Sequence, residues 1–274
     1  NIFSSIQHRL DFQYRFLYYR QPISTQNPNL SNNQKYVSGN ELSVSLGGPL
    51  DYPWSYLANL GGVFYDNGVD GTVLGRLALG YGTEDFSAIF GFRRREAVIE
   101  HYDLSALLDG VRTNDFYGQA IYVTPREKVW ERWQLEGYGE TGWFDDGNYR
   151  SRVIGTMLNR LIETEDDALK LGLRGMYLNY EKDSPNYFSP SHYWGVGVTG
   201  RYDHHFNDLT DAGISGTALW IEQVQEFDLA VGGYLDRQIT DAARASLRLD
   251  YGESTFPDGD IRSFSGRAEL QVLF

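Results

Sequence analysis

Residues 261–274, IRSFSGRAELQVLF, decide the fold. One set of alternate positions is apolar or small: Phe264, Gly266, Ala268, Leu270, Val272 and Phe274. The intervening positions from residue 265 to 271 are all polar: Ser265, Arg267, Glu269 and Gln271. A repeat of two is the side-chain alternation of a β-strand. The stretch is therefore predicted to be a strand with one apolar face and one polar face.

The same alternation recurs along the whole chain. Near the N-terminus the apolar row is Ile6, His8, Leu10, Phe12, Tyr14, Phe16 and Tyr18. Similar rows, separated by turn residues such as those at 145–148, bring the total to fourteen candidate strands. No Pro/Gly/Ser linker divides them, so residues 1–274 are predicted to form a single all-β domain.

The composition indicates whether the apolar face of each strand meets lipid. Mean hydropathy is −0.44, and no run of about eighteen apolar residues provides an ordinary transmembrane helix. A β-barrel in a membrane needs only every second residue to be apolar, and its interfaces favour aromatic residues, of which the chain has 20 Tyr, 15 Phe and 6 Trp. The terminal Phe after an alternating strand resembles the ends of bacterial outer-membrane β-barrels. That resemblance implies an antiparallel up-and-down transmembrane barrel in the bacterial outer membrane.

The partners expected of such a chain are membrane components. They are outer-membrane lipid, lipopolysaccharide and, through the C-terminal strand, the barrel-assembly machinery. The competing interpretation is a soluble β-sandwich or lipocalin-like barrel whose apolar rows point inward. The formal net charge of −13 argues against nucleic acid, and the absence of cysteine excludes disulfides and thiolate metal sites.

Connection lengths alternate between long and short in the first half of the chain. Residues 21–36 and 96–112 are long connections, whereas 47–54 and 124–127 are short. Long connections are expected outside the cell. In the second half the contrast is predicted to blur, because residues 204–211, with His204 and His205 in a turn, are not a short connection.

If the apolar rows face lipid, the polar rows line a lumen. The lumen residues predicted to form a substrate path are Glu136, Tyr138, Glu140, Tyr193, Glu226, Asp228, Tyr234, Asp236, Asp250 and Glu269. Arginines accompany them, so cross-strand ion pairs that brace the barrel are one interpretation. A hydrated conduit that handles a polar polymer is the other.

Catalysis and metal binding have little support in the sequence. The five histidines are His8, His101, His192, His204 and His205, and their spacing suggests neither a catalytic set nor a metal site. No phosphate loop or dinucleotide motif occurs, so no catalytic residue, cofactor or metal is predicted.

One motif narrows the function. Tyr187, Phe188, Ser189 and Pro190 form a Tyr-Phe-Ser-Pro loop that enters a strand beside Tyr193 and Trp194. This loop resembles the barrels of exopolysaccharide-export porins, the group that contains the cellulose, poly-N-acetylglucosamine and Pel exporters. The resemblance implies sixteen strands, a preceding periplasmic region of helical repeats in a longer chain, and a periplasmic or lipoprotein export partner. The alternative interpretation of the motif is a rigid turn with interface anchors.

Three functions follow from these observations. The first is export of a polysaccharide for a biofilm matrix, and the acidic balance suits a partly deacetylated, cationic exopolysaccharide, as for the Pel exporter. The second is a general or nutrient-specific diffusion porin. The third is an outer-membrane hydrolase.

The outward orientation of the apolar rows predicts how the purified chain behaves without detergent. Because those rows need acyl chains or detergent around them, we expect aggregation in plain buffer and a single species in detergent micelles. Size-exclusion chromatography in both solutions measures this. A monodisperse chain in plain buffer would contradict the transmembrane interpretation.

Overall fold

The alternation predicts strands throughout, and the computed structural model has strands throughout. The structure describes residues 8–20, 36–65, 71–96, 111–124, 133–184, 189–240, 243–256 and 259–272, but no side chain at 17–20, 36–37, 96, 254–256 or 259–272. The strands are β1 (Arg9–Arg20), β2 (Tyr36–Pro49), β3 (Trp54–Tyr65), β4 (Thr72–Gly82), β5 (Phe86–Glu96), β6 (Arg112–Val123), β7 (Trp133–Phe144), β8 (Tyr149–Glu163), β9 (Asp167–Tyr180), β10 (Tyr193–Asn207), β11 (Thr210–Ile221), β12 (Glu226–Thr240), β13 (Ala243–Phe256) and β14 (Gly259–Val272).

All fourteen strands belong to one sheet, and each pairs with its neighbour in sequence. The order is β1 to β14 without a crossover, and every described pairing is antiparallel. The sheet curves until Cα atoms of β1 and β14 come within 8 Å, with no ladder between these two strands among the described residues. The predicted all-β, up-and-down antiparallel fold is confirmed. Within the described ranges there are fourteen strands, rather than the sixteen that the family resemblance implies.

The apolar rows lie on the outer face of this curved sheet. Phe12, Leu60 and Leu77 leave 66%, 67% and 62% of their surface exposed, and similar residues on the other strands with described side chains are exposed as well. The most deeply buried side chains of the inner face include Asp115 and Arg150. A water-soluble sheet would have the opposite arrangement. The soluble interpretation is therefore wrong, and the outer face requires a hydrocarbon environment.

Aromatic clusters mark both edges of the outer apolar face. We call the end that holds Arg9 and Val272 the near end and the opposite end the far end. At the near end Trp54 lies 5.1 Å from Tyr81 between ring centroids, and at the far end Phe92 lies 5.4 Å from Phe116. Trp143 completes the far cluster at 5.8 Å from Phe116. Two aromatic bands that flank an apolar belt are typical of a membrane-spanning barrel.

Two predictions about the connections need correction. Residues 204–211 are not a connection, because β10 continues to Asn207 and β11 begins at Thr210. His204 and His205 lie within β10 rather than in a turn. The near-end connection is therefore the two residues 208–209, so the predicted blurring of loop lengths does not occur there. The predicted turn at 145–148 is present, with Gly147 in the left-handed region at φ +83°.

No helix among the described residues is long and apolar enough to cross a membrane.

The orientation of the rows predicts opposite effects for arginine on the two faces. Leu77→Arg places a charge in the middle of the lipid-facing row of β4 and is expected to reduce the free energy of unfolding by about 2–4 kcal/mol. Gln119→Arg places the same charge on the exposed inner face of β6 and is expected to change it by less than about 1 kcal/mol. Denaturant unfolding in phospholipid vesicles measures both. Equal losses would contradict the assigned orientation.

Candidate substrate path through the barrel

Strand alternation places the predicted substrate-path residues on the inner face. Each of them is one residue away in sequence from an outward-facing apolar or small side chain. Nine of the ten have described side chains, and Glu269 lies in β14, whose side chains are outside the described set. The nine do not form one site. They fall into two groups, one on β7 and one on β10 to β13, and the charges around the two groups differ.

The first group is on β7, where Glu140 belongs to a buried ion-pair cluster. Arg150 Nη2 lies 3.0 Å from Glu140 Oε1 and 3.1 Å from Asp115 Oδ1. Arg93 and Arg95 contact the same two carboxylates at 2.6–3.3 Å. The side chains of Asp115, Glu140 and Arg150 are at most 1% exposed. Because these charges are buried and mutually paired, this cluster braces the far half of the wall.

Aromatic side chains complete the packing of this cluster. Tyr138 donates to Glu140 and accepts from Arg93 Nη2 at 2.7 Å. Tyr117 lies beneath two guanidinium groups, with Arg93 and Arg76 at 4.9 and 5.0 Å from its ring centroid. Guanidinium groups stack favourably on aromatic faces. Tyr138 and Glu140, both predicted to contact substrate, are thus engaged with neighbouring side chains. Glu136, on the same strand, accepts from Gln134 Nε2 at 2.5 Å.

The second group lies on β10 to β13, where Glu226 and Asp250 are exposed and Tyr193 is buried. Tyr193 donates to Asp228 Oδ2 at 3.5 Å, and Arg244 Nη2 lies 3.2 Å from Asp236 Oδ2. Tyr234 instead donates to Asp203 Oδ1 at 2.7 Å. This group consists of Tyr193, Glu226, Asp228, Tyr234, Asp236 and Asp250, which extend from the far end to the near end of the inner face. We call these six residues the acidic stripe.

Charges are segregated between the two walls. The inner positions of β4 to β9 carry eight basic and four acidic side chains: Arg76, Arg93, Arg95, Arg150, Arg152, Arg160, Lys170 and Arg174 against Asp115, Glu136, Glu140 and Glu163. The described inner positions of β10 to β13 carry three basic and six acidic ones: Arg201, Arg244 and Arg248 against Asp203, Asp211, Glu226, Asp228, Asp236 and Asp250. The lumen therefore has a basic wall and an acidic wall, although the chain as a whole is acidic.

The far end of the lumen also has an apolar lining. Seven side chains bury one another there: Val111, Phe144, Leu178, Tyr180, Tyr193, Leu219 and Ile221. Val111 immediately precedes β6, and the others lie at or near the far ends of β7 and β9–β11. Tyr193, the far-end aromatic residue of the acidic stripe, belongs to this lining and is only 3% exposed.

Half of the Tyr-Phe-Ser-Pro motif at 187–190 is described, because its first two residues lie outside the described set. Ser189 Oγ accepts a hydrogen bond from the Ser184 amide at 2.6 Å, and the Pro190 carbonyl accepts one from the Tyr180 amide at 3.0 Å. These bonds close the connection between β9 and β10 on itself. The described half is hydrogen-bonded to the chain before it, and the role of the motif stays a prediction.

The four described histidines have separate partners. His8 Nδ1 lies 3.0 Å from the Tyr56 hydroxyl, His192 Nδ1 lies 2.9 Å from that of Tyr177, and His204 Nδ1 lies 2.8 Å from Asp167 Oδ1. His205 contacts Asp211 at the near end of the inner face. Across the described residues, no group of three or more His, Cys, Asp or Glu side chains is arranged to hold a metal ion.

The prediction from sequence missed several residues of the basic wall, among them Asp115 and Lys170. Asp115 is at the centre of the arginine cluster, and Lys170 lies on the inner face of β9. Both could have been found from the alternation of inward and outward side chains along a strand. Asp115 precedes the outward residue Phe116, and Lys170 precedes the outward residue Leu171.

Comparisons with solved structures agree with this architecture. A structure described as a bacterial polysaccharide outer membrane secretin matches with a TM-score of 0.68 at 12% identity, over 97% of each chain. A mutant of the Rh. blastica porin matches with a TM-score of 0.42 at 10% identity, over 98% of this chain and all of that one. The outer membrane channel DcaP of Acinetobacter baumannii matches with a TM-score of 0.40 at 7% identity, over 96% and 94%. The chain matches no protein-family model and no curated protein sequence.

The fold is that of an outer-membrane β-barrel. The likeness to the secretin structure extends along nearly the whole chain, and the apolar outer face with its aromatic bands is what this class requires. The bacterial outer membrane is the location that this fold and this face indicate.

The buried cluster predicts a large loss of stability when its central carboxylate is removed. Asp115→Ala leaves three arginines with one carboxylate in a buried site, and we expect the free energy of unfolding to fall by about 3–5 kcal/mol. Asp145→Ala, which removes the partner of Arg94 in an exposed pair at 2.8 Å, should cost less than about 1 kcal/mol. Denaturant unfolding in vesicles compares the two. Similar losses would show that the cluster does not brace the wall.

Proposed function

We propose that this barrel exports a polysaccharide across the outer membrane. The observation that carries the proposal is the acidic stripe, in which carboxylates and tyrosines recur along one inner wall from the far end towards the near end. Carboxylates and tyrosine hydroxyls hydrogen-bond to sugar hydroxyls and amines, and tyrosine rings offer flat surfaces for sugar rings. A stripe that spans the wall suits a chain molecule, which needs several successive contacts rather than one binding pocket.

The charge of the stripe favours a cationic polymer. Glu226 and Asp250 face the lumen and have no ion pair within 4.0 Å among the described side chains. A partly deacetylated polysaccharide carries ammonium groups that can pair with such carboxylates. This favours the type of substrate that the Pel exporter resemblance implies. The tyrosines would add uncharged contacts that let the polymer slide between charged positions.

The proposal requires no catalytic residue and no cofactor. The barrel would bind and guide the polymer, and the energy for transport would come from polymer synthesis on the inner side of the envelope. A periplasmic or lipoprotein partner would deliver the polymer to the near end, which is opposite the long connections 21–36 and 96–112 that are expected outside the cell.

Current block in planar lipid bilayers tests the substrate. Chito-oligosaccharides are expected to reduce the ion current, because their ammonium groups bind the acidic stripe. Neutralising Glu226 and Asp250 together (Glu226→Gln with Asp250→Asn) should weaken this block about three- to tenfold, as expected for two charge contacts of under about 1 kcal/mol each.

The matched control removes the same two charge types from near-end turns. Asp51→Asn with Glu84→Gln should leave the block unchanged. An ion current through the wild-type chain that no chito-oligosaccharide affects, with free passage of small sugars in vesicle-swelling assays, would instead favour a diffusion porin.

A further inference from the structure

On the inner face of β9, two basic side chains flank a position that has no side chain. Lys170 and Arg174 both face the lumen, with Gly172 between them. On the neighbouring strand β10, Thr199 lies opposite Gly172 and Gly197 opposite Arg174. Among these five positions the only uncharged side chain is a single threonine. On the β10 side the two cations therefore stand above a low floor made mostly of backbone, whereas on the β8 side Leu158 lies opposite Gly172 and Thr156 opposite Arg174.

The floor is low for a packing reason. A Cβ atom on Gly172 would collide with the carbonyl oxygen of Met157, and one on Gly197 would collide with that of Ala218. Since these contacts involve the backbone of adjacent strands, no side chain fits at either position without moving a strand. The sheet thus keeps this strip open to the lumen.

Like charges are adjacent in register around Lys170. Arg160 on β8 and Arg201 on β10 are both directly opposite Lys170 in the two ladders. Like charges placed directly across strands are destabilising. Arg160 is compensated by Glu163 at 3.0 Å and Arg201 by Asp203 at 2.8 Å. Among the described side chains the direct contact of Lys170 is with a neutral partner, Gln134 Oε1 at 3.1 Å, and the carboxylates of Asp203 and Glu136 interact with it from farther away.

Arg174 is a second cation without a direct carboxylate contact among the described side chains. It has no hydrogen bond and no ion pair within 4.0 Å among the described side chains, and Glu136 affects it only at longer range. Four residues along a strand separate Arg174 from Lys170 by about 13 Å between Cα atoms. The wall therefore holds two spaced positive charges, each without a carboxylate partner in the described chain, above an open floor.

We propose that this strip binds the carboxylate groups of an acidic polysaccharide, with Lys170 and Arg174 as the two anchoring cations. The proposal rests on polysaccharide export as the function of the barrel, and it extends that function to a polymer that carries acidic as well as amino groups. The acidic stripe would hold the ammonium groups while β9 on the basic wall holds the carboxylates. Two cations spaced along the strand favour a polymer with repeated acidic groups over a single small anion.

The test compares two oligosaccharides of opposite charge in planar bilayers that contain the full chain. Oligogalacturonate is expected to block the wild-type current. Lys170→Gln with Arg174→Gln should weaken that block at least about tenfold, since two charge-assisted contacts are lost, and should leave block by chito-oligosaccharides within about twofold. Arg174→Lys, which keeps the charge, should retain most of the oligogalacturonate block.

A charge-matched control separates local binding from net charge. Arg237→Gln with Lys182→Gln removes two cations from the outer face and from a far-end connection, and should leave both blocks unchanged. Heat-dependent mobility on gels establishes that each variant is folded before it is measured.

The outcomes distinguish this proposal from the proposed export function. Oligogalacturonate that fails to block the wild type, or that blocks the β9 double variant equally well, overturns the anion site. If chito-oligosaccharides still block the wild type in that case, export stands without it. If neither oligosaccharide blocks, both proposals fall.

Discussion

The constraint on which this structure depends is that the outer face of the sheet must meet hydrocarbon while its backbone stays hydrogen-bonded. Neither requirement suffices alone, because an open sheet would leave an unpaired edge in lipid and a soluble sheet would bury its apolar row. A curved antiparallel sheet that brings β1 close to β14 places the apolar row outside and leaves the pairing of these two edge strands as the remaining requirement. The polar rows are then enclosed, and every inner side chain becomes part of a shared aqueous wall.

That enclosure explains why the inner wall combines support with recognition. Around Asp115 the charges neutralise one another and are buried, so this part of the wall resembles a protein core built from ion pairs. On β12 and β13 the carboxylates remain accessible, and on β9 two cations lack acidic partners among the described residues. The same residue types thus serve two purposes, and the difference lies in how completely each charge is paired.

Much of the fold could be predicted from the sequence, because a period of two is a local property. The rows around Leu10, Leu77 and Val198 identify their strands and outward faces without any tertiary information. Turns that contain no Gly or Pro were harder to predict. His204 shares the outward row of Tyr202 and Phe206, and His205 falls in the inward row between them, so both continue β10, whereas the run of polar residues suggested a connection.

The site was less predictable than the fold. Alternation indicates that Glu140 and Asp250 both face the lumen. It does not indicate that Glu140 is surrounded by arginines from β5 and β8 while Asp250 has no such ion pair among the described side chains. Such differences depend on which strands are adjacent and in which register. The sequence alone therefore predicted a list of lumen residues, and only the pairing of strands separated it into two walls.

The strictly sequential strand order has a consequence for how the barrel assembles. Every ladder from β1 to β14 joins neighbours in the chain, so each hairpin can form as soon as its two strands are available, at a small loop-closure cost. Only the meeting of the first and last strands joins residues far apart in sequence. Insertion can therefore proceed as a growing curved ribbon, and we expect the pairing of the first and last strands to form last because it has the largest sequence separation.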